Sequence, residues 1–305
     1  MSSPALAVQI SEAELKLLQA LVYQECGMHF DARRTHFLQD RLLRRLRDCQ
    51  MDSFYSYYRL LISAQGRDEL SRLVENLTVN ETSFFRNKAQ LDLFQKHVLD
   101  ELILQKIQRR DFSIRIWSAG CSTGQEPYTL VMLIADSLAY HHLRTLPPST
   151  SAAISMAPKP LIPEPWKVEI LASDINYSVL RYAQEGTYTE NQMGSVDYSY
   201  RLRYFDKVGE RYVIKNAVKD RVHFDFHNLK TEFLPQRHDM IFCRNVMMYF
   251  DEAEQKRLVN KFARCLVPGG YIFVGHAESL LGLTEKFTMV YRNSGTAYRH
   301  VEGAP

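Results

Sequence analysis

Up to about residue 110, apolar residues recur three and four positions apart, which is the spacing of a helix face buried in a core. Ser11 with Glu14 three residues later is a capping-box pattern and predicts the start of a first helix. The same spacing predicts further helices over residues 33–49, 54–63, 68–77 and 89–107. No strand is predicted before Ile114, so the sequence indicates an all-α N-terminal part.

After Ser113 the pattern changes to short apolar runs that alternate with helical stretches. Strands are predicted over residues 114–117, 168–172, 222–225, 240–243 and 271–275, with helices over 127–140 and 252–265. Such alternation is typical of an α/β fold with a doubly wound, mostly parallel sheet. The tail favours an antiparallel pair, 287–290 with 297–300, around a turn at 293–295.

Two segments interrupt this alternation. Residues 142–166 are rich in proline, serine and alanine and cannot bury enough apolar surface to order themselves well, which predicts a surface loop. Residues 197–220 are rich in tyrosine, arginine and lysine, and the run that begins at Arg203 predicts a small hairpin turning near Gly209.

Composition narrows the class of protein. A chain of 305 residues, 46% of them hydrophobic, can build a packed core, and a net charge of +3 does not indicate nucleic acid as the main partner. No apolar run approaches the roughly 18 residues of a membrane helix, and the N-terminus does not resemble a secretion signal. The cysteines and histidines lack the spacing of disulfide or metal sites. We expect a cytoplasmic protein without membrane insertion or a metal.

The most informative stretch, residues 114–128, runs from a predicted buried strand through Gly120 and Gly124 into a helix. Glycines let the backbone approach a ligand, and open α/β sheets bind ligands at this end of a strand. The spacing fits neither a dinucleotide fingerprint nor a phosphate loop, which favours a cofactor without phosphate, such as S-adenosylmethionine. An ordinary strand–helix turn explains the glycines equally well.

A carboxylate, Asp174, ends the second predicted strand. An acid in this position can accept hydrogen bonds from the hydroxyl groups of a ribose. The alternative is that Asp174 caps a helix that starts near Ser178.

Six short motifs occur in an order and at spacings that match one family. They are NETSFFR (80–86), WSAGCSTGQEPY (117–128), ASDI (172–175), FCRNVMMYF (242–250), PGG (268–270) and GHAE (275–278). Together they resemble the CheR-type chemoreceptor glutamate methyltransferases over nearly the whole chain.

The resemblance implies a helical substrate-recognition domain (1–88) and a methyltransferase domain (89–305) with an inserted β-subdomain (about 197–220). The implied reaction moves a methyl group from S-adenosylmethionine to glutamate side chains in the cytoplasmic helical domains of chemoreceptors. It leaves S-adenosylhomocysteine, and the resulting methyl esters serve sensory adaptation. The turn at Gly209 is short, which does not favour docking of a receptor's C-terminal tether peptide on the subdomain.

The resemblance also implies the cofactor contacts. Arg86 can pair with the methionyl carboxylate, and the carboxylate of Glu126 can attract the cationic amino group. The full implied set is Asn80, Thr82, Arg86, Gly120, Glu126, Asp174, Asn228, Leu229, Asn245 and Val246. Without the resemblance, residues 80–87 predict a helix N-cap followed by a packed pair of phenylalanines.

The implied chemistry needs little from the protein. A glutamate carboxylate has an ordinary pKa of about 4.3, so it is an anion at neutral pH and needs no general base. The protein must align the reacting atoms and exclude water. Arg86 and Tyr249 are the candidate catalytic residues, Tyr249 because it could orient the substrate carboxylate. A core tyrosine on a helix is an equally good interpretation of Tyr249.

The second predicted helix carries a run of arginines. Arg41, Arg44 and Arg45 fall on one side, with Arg47 close by, while the leucines face the other way. Such a face is usually only solvated, but the resemblance implies that it binds the acidic methylation helices of receptors.

Two other functions remain open from the sequence. A methyltransferase of another class, acting on a small molecule or a nucleic acid, would share the glycine loop but not the arginine helix joined to NETSFFR. A regulatory module that binds the cofactor without catalysis would keep the same cofactor residues.

Overall fold

The computed structural model describes residues 9–145, 161–232 and 237–301. Its first four helices are α1 (Glu12–Cys26), α2 (Thr35–Asp48), α3 (Phe54–Leu61) and α4 (Arg67–Leu77). The predicted capping box is confirmed, because the hydroxyl of Ser11 accepts from the Glu14 N–H while the Glu14 carboxylate accepts from the Ser11 N–H. These helices, called the bundle below, share a hydrophobic core that includes Leu18, Val22, Leu38, Leu42, Tyr57 and Leu73.

The helix predicted over 89–107 is present but interrupted. It consists of α5 (Lys88–Leu93), a π-helical turn (Phe94–Leu99) and α6 (Asp100–Arg109). Phe94 in the turn contacts Phe242 and Phe273 edge-on, with ring centroids 5.3 and 5.8 Å apart. This segment therefore packs against the sheet and not against the bundle.

The remaining elements complete the α/β part of the chain. In chain order they are β1 (Ser113–Ala119), α7 (Gln125–Thr145), β2 (Lys167–Asp174), α8 (Tyr177–Glu185), β3 (Thr187–Thr189), α9 (Tyr198–Tyr204), β4 (Phe205–Val208), β5 (Arg211–Ile214), α10 (Asn216–Lys219), β6 (Val222–Phe226), β7 (His238–Cys243), α11 (Glu252–Cys265), β8 (Leu266–Val274), β9 (Phe287–Arg292) and β10 (Gly295–His300).

Seven strands form one sheet in the order β6-β2-β1-β7-β8-β10-β9. The pairs β6–β2, β2–β1, β1–β7 and β7–β8 are parallel, and β8–β10 and β10–β9 are antiparallel. The doubly wound sheet and its closing antiparallel pair are thus confirmed. All six residues of β7 are buried, as expected for a strand covered by helices on both faces.

A second, small sheet has the order β3-β5-β4 and is antiparallel. The hairpin predicted near Gly209 is confirmed, since β4 and β5 flank that glycine and its φ is +59°. The sequence did not predict β3, a strand of three residues that directly follows α8.

The proline-rich segment differs from the prediction at both ends. Helix α7 continues to Thr145 and so takes in the first residues of the predicted loop. At the other end, Ile162 and Trp166 are buried, and Trp166 packs edge-on against Phe112. The loop predicted for 146–160 lies outside the described residues.

In the described ranges, no helix combines the length and apolar character needed to cross a bilayer. Among the same residues, no group of three or more His, Cys, Asp or Glu side chains is placed to hold a metal ion.

Candidate active site

A cavity opens at the carboxyl ends of β1, β2 and β7 and extends to the bundle. It encloses about 920 Å³ of space including its open mouth. Strand β1 lies between β2 and β7, so the loops that leave these strands diverge here. Such a switch point is where open α/β sheets bind ligands.

The structure brings all the predicted cofactor residues together. The cavity is lined by Asn80, Thr82, Arg86, Gly120, Glu126, Asp174, Asn228, Leu229, Asn245 and Val246, and also by Tyr249. The cavity is also lined by residues that the sequence did not single out, namely Cys26, Met28, Ser122, His227 and Arg244.

The glycine loop packs directly against the loop after β7. Gly120 has φ of +82°, and a Cβ atom there would lie 2.4 Å from Cγ2 of Val246. A side chain at this position would push the two cavity walls apart. The glycine is therefore required by close approach as well as by its backbone conformation.

Asp174 lies in the cavity wall and connects the loops that follow β1 and β2. Its carboxylate accepts hydrogen bonds from the N–H groups of Ser122 (2.9 Å) and Asn176 (3.0 Å). Burial raises the pKa of Asp174, and these N–H groups only partly offset that effect. Hydroxyl groups of a ligand would add further donors to the ionised carboxylate. The helix cap is Asn176, whose side chain accepts from the first turn of α8, so Asp174 is not the N-cap.

Glu126 and Arg244 form an ion pair next to the NETSFFR segment. It accepts from the hydroxyl of Ser118 at 2.7 Å and from Nη1 of Arg244 at 3.2 Å. Nη2 of Arg244 donates to the carbonyl of Arg86 at 2.7 Å. The Nε of Arg244 is buried without a protein partner, which leaves a donor on the cavity wall. Arg244 lies inside the FCRNVMMYF motif, so the sequence contained a signal for it.

Residues 227–229 form one wall of the cavity, and a buried lysine lies behind them. Lys261 of α11 is fully buried and donates to the carbonyl of Thr231 at 2.7 Å. Its Nζ is also 2.9 Å from Nε2 of His227. Burial lowers the pKa of Lys261 to about 8, and burial with the Lys261 charge lowers the pKa of His227 to about 4. His227 is therefore neutral at neutral pH.

The segment 80–87 is an irregular connection between α4 and α5. Phe84 is fully buried and contacts Tyr188 and Phe205 edge-on. Asn87 caps α5 by accepting from the Gln90 N–H. The helix cap and the packed phenylalanine exist as the residues alone predicted, while the side chains of Asn80, Thr82 and Arg86 line the cavity.

The bundle contacts the cavity loops through backbone groups. Met28 pairs with Phe250 in an antiparallel bridge, and the His29 N–H donates to the Tyr249 carbonyl at 2.8 Å. The side chain of Asn228 donates to the carbonyl of Glu25 at 2.7 Å. The bundle and the sheet therefore form the cavity jointly.

Tyr249 lies where the bundle meets the cavity. The guanidinium of Arg34 is 5.4 Å from the centre of its ring. Burial raises the pKa of Tyr249, while Arg34 and Arg86 act in the opposite direction. The phenol stays protonated at neutral pH and can donate a hydrogen bond. Tyr249 is thus a partly buried cavity residue in a 3-10 turn, Met247–Tyr249.

The predicted substrate-binding arginines lie on α2, outside the cavity lining. Arg44 and Arg47 are exposed, and Arg41 is partly exposed, 4.9 Å from the Phe37 ring centre. Arg45 is only 11% exposed and donates to both carboxylate oxygens of Glu69, at 2.9 and 2.5 Å. Arg45 is therefore not available to a substrate, which corrects the prediction for this residue.

Comparison with known proteins decides the family. A family model described as CheR methyltransferase, SAM binding domain, matches residues 80–145 and 149–296. A second, described as CheR methyltransferase, all-alpha domain, matches residues 13–78. The chain belongs to the CheR methyltransferase family.

Other members of the CheR family resemble the chain along most of its length. A chemotaxis protein methyltransferase of Borreliella burgdorferi is 31% identical and covers 91% of this chain and 92% of its own. The protein of that name in Escherichia coli is 32% identical, covering 92% and 89%. Chemotaxis protein methyltransferase 2 of Vibrio cholerae is 30% identical, covering 95% and 94%.

The cofactor of this CheR protein is S-adenosylmethionine. The residues of the cavity fit it. Asp174 offers a buried acceptor for ribose hydroxyl groups, and Glu126 offers a carboxylate for the methionyl amino group. Arg86 and the unpartnered Nε of Arg244 offer donors for the methionyl carboxylate.

Proposed function

We propose that this CheR protein is a cytoplasmic protein-glutamate O-methyltransferase that esterifies glutamate side chains of chemoreceptor cytoplasmic domains. The observation that carries the proposal is the joint cavity, in which cofactor residues of the sheet meet Tyr249 beside a bundle whose helix α2 carries exposed arginines. The names of its relatives support a role in chemotaxis. Esters of this kind would serve sensory adaptation.

S-adenosylmethionine supplies an electrophilic methyl group with a neutral leaving group. A glutamate carboxylate oxygen forms the new C–O bond as the C–S bond breaks, and no proton moves. The protein therefore needs no general base for this step. It has to hold the oxygen in line with the breaking bond and keep water away from the carboxylate.

The cavity residues divide between the two ends of the cofactor. Asn80, Thr82, Arg86 and Glu126 would hold the amino-acid end, and Asp174 would accept from the ribose. Asn228 and Leu229 would contact the adenine on the wall that Lys261 supports, and Asn245 and Val246 would close the site beside Gly120. Each of these residues lines the cavity.

Tyr249 would receive the substrate carboxylate, and Arg86, which would hold the methionyl carboxylate, would lie beside it. The protonated Tyr249 hydroxyl can donate to one carboxylate oxygen, and the positive charge of Arg86 keeps the carboxylate ionised when water is excluded. Arg34 adds a second positive charge beside the Tyr249 ring. Residues 1–88 would form the substrate-recognition domain and residues 89–305 the catalytic domain.

Transfer of labelled methyl to a purified receptor cytoplasmic domain tests the proposal. We expect label in the protein that mild alkali releases as methanol, because esters hydrolyse in alkali while methylamines and thioethers do not. Label that resists alkali would support a methyltransferase of another class. Binding of S-adenosylmethionine with no transfer to any receptor domain would support a regulatory module.

Asp174→Ala should weaken S-adenosylmethionine binding. Loss of a hydrogen bond to a charged acceptor costs about 1.5–3 kcal/mol, or roughly 10- to 150-fold in the dissociation constant. Calorimetry on the folded variant measures it. The control is Asp225→Ala, which removes an exposed acid from the neighbouring strand β6. Equal affinities of the two variants would remove Asp174 from the cofactor site.

The exposed arginines of α2 should affect the receptor and not the cofactor. Replacing Arg41, Arg44 and Arg47 together with alanine, with Arg45 left in place, should raise the KM for receptor and flatten its salt dependence. Attraction between exposed charges weakens as the Debye length falls from about 10 Å at 0.1 M salt to about 3 Å at 1 M.

The matched control for this triple variant removes three exposed arginines elsewhere, Arg109, Arg181 and Arg292. It lowers the net charge equally but leaves α2 intact. If both triple variants methylated receptor alike at every salt concentration, the arginines of α2 would be only a solvated surface.

A further inference from the structure

The segment 244–249, called the RNVMMY segment below, contributes several residues to the site but contains little regular secondary structure. It follows β7 and contains the cofactor residues Asn245 and Val246 as well as Tyr249. Asn245 has φ of +61°, a conformation that is uncommon for residues other than glycine. Residues Met247–Tyr249 form a single 3-10 turn. Contacts outside the segment must therefore hold it in place.

One carboxylate makes two of those contacts. Oε2 of Glu278 accepts from the N–H groups of Asn245 at 2.9 Å and Gly275 at 2.6 Å. Oε1 accepts from the N–H of Met248 at 3.1 Å. Both oxygens are used, and the donors come from the loops that follow β7 and β8. Hydrogen bonds to an ionised acceptor are roughly twice as strong as neutral ones.

A glycine close to Glu278 in the sequence leaves room for this carboxylate. A Cβ atom on Gly275 would lie 2.7 Å from Oε2 of Glu278 and 2.9 Å from the backbone nitrogen of Asn245. Only glycine leaves room for the carboxylate between the two loops. The motif GHAE, residues 275–278, places that glycine three positions before the acid that needs it.

We propose that Glu278 is a positioning residue for methyl transfer. It does not line the cavity, but its two oxygens accept from the RNVMMY segment before the turn, at Asn245, and within the turn, at Met248. Asn245 and Val246 are thereby held toward the cofactor, and Tyr249 is held toward the substrate carboxylate. The part of this role that acts through Tyr249 rests on the proposed function, whereas the part that acts through Asn245 rests only on cofactor binding.

Glu278→Gln is the informative variant, because it keeps the size of the side chain. It replaces one acceptor oxygen by an NH₂ group that would face a backbone N–H. We expect the dissociation constant of S-adenosylhomocysteine to rise roughly tenfold and kcat for receptor methylation to fall by a further factor on the order of ten. The matched control is Glu285→Gln, an exposed glutamate in the same connection, which should match wild type in both.

A double-mutant cycle tests the route through Tyr249. If Glu278 acts by placing the phenol, Glu278→Gln should lower kcat much less in the Tyr249→Phe background than in wild type. Additive effects on kcat would overturn that route. Glu278→Asp keeps the charge but shortens the reach, and serves as the second variant if Glu278→Gln fails to fold.

The failure of this inference is distinct from that of the proposed function. A wild-type protein that binds cofactor but forms no alkali-labile ester would contradict the proposed function, while the binding measurement on Glu278→Gln would still test the positioning role. A folded Glu278→Gln protein with a lower Tm but wild-type affinity and kcat would make Glu278 a purely structural residue and overturn the inference.

Discussion

Arg86→Ala is expected to lower kcat/KM for receptor methylation on the order of 100-fold or more while the protein stays folded. Arg86 lines the cavity, and in the proposed function it holds the methionyl carboxylate beside the substrate. A misplacement of about 1 Å at a reacting centre can cost roughly 100-fold in rate. The fold should survive because its side chain is only partly buried and donates to the carbonyl of Glu81, an exposed residue.

Two further variants make this prediction specific. Lys88→Ala removes an exposed positive charge two residues away and should retain wild-type kinetics. Arg86→Lys keeps the charge but loses the planar pair of donors, so it should recover part of the activity. Steady-state kinetics with the folded proteins gives the comparison. Wild-type turnover by Arg86→Ala would remove Arg86 from the site.

Arg45→Ala is expected to destabilise the bundle by about 3–5 kcal/mol, the usual effect of removing one partner of a buried ion pair. The side chain of Glu69 is 9% exposed and would keep the Tyr57 hydroxyl, 2.8 Å away, and the Cys49 thiol as donors but would lose the guanidinium. Burial raises the pKa of Glu69, but Arg45 and Tyr57 outweigh that effect, so its pKa lies below the ordinary value. In Arg45→Ala, the Glu69 carboxylate would therefore lose the neighbouring positive charge that keeps it ionised.

Urea unfolding followed by helical circular dichroism measures this change. Arg44→Ala, which removes the neighbouring exposed arginine, should change stability by no more than about 0.5 kcal/mol. The double variant Arg45→Met with Glu69→Gln should recover part of the loss, because no charge is then left unpaired and the amide oxygen still accepts from the Tyr57 hydroxyl. An Arg45→Ala protein as stable as Arg44→Ala would show that the ion pair contributes little.

The pattern of apolar residues was sufficient for most of the fold. Residues 240–243 of β7 are a continuous apolar run, and helix α11 was predicted with both ends correct. Strand β3 was missed because three residues are too few to show a period. The π-helical turn around Phe94 was not predicted either, since Phe94 packs there against residues far along the chain, Phe242 and Phe273.

The site residues were predicted from the family resemblance. What the sequence could not show are contacts between residues that are far apart along the chain. Helical spacing places Arg45 beside Arg41 and Arg44, but it cannot show that Glu69 of α4 lies opposite. Cys26 and Met28 line the cavity because the end of α1 contacts the loop that follows β6, and no motif marks them. Glu278 stood in a recognised motif, yet its role requires two loops that meet only in the folded chain.

The position of the transferred methyl group is the most direct measurement of the central claim. A receptor cytoplasmic domain is incubated with the protein and S-adenosylmethionine, then digested and sequenced by mass spectrometry before and after mild alkali. We predict that glutamate side chains gain the mass of one CH₂ group, that alkali removes it, and that Arg86→Ala does not produce it. A methyl group found on nitrogen or sulfur, or one that survives alkali, would contradict the account.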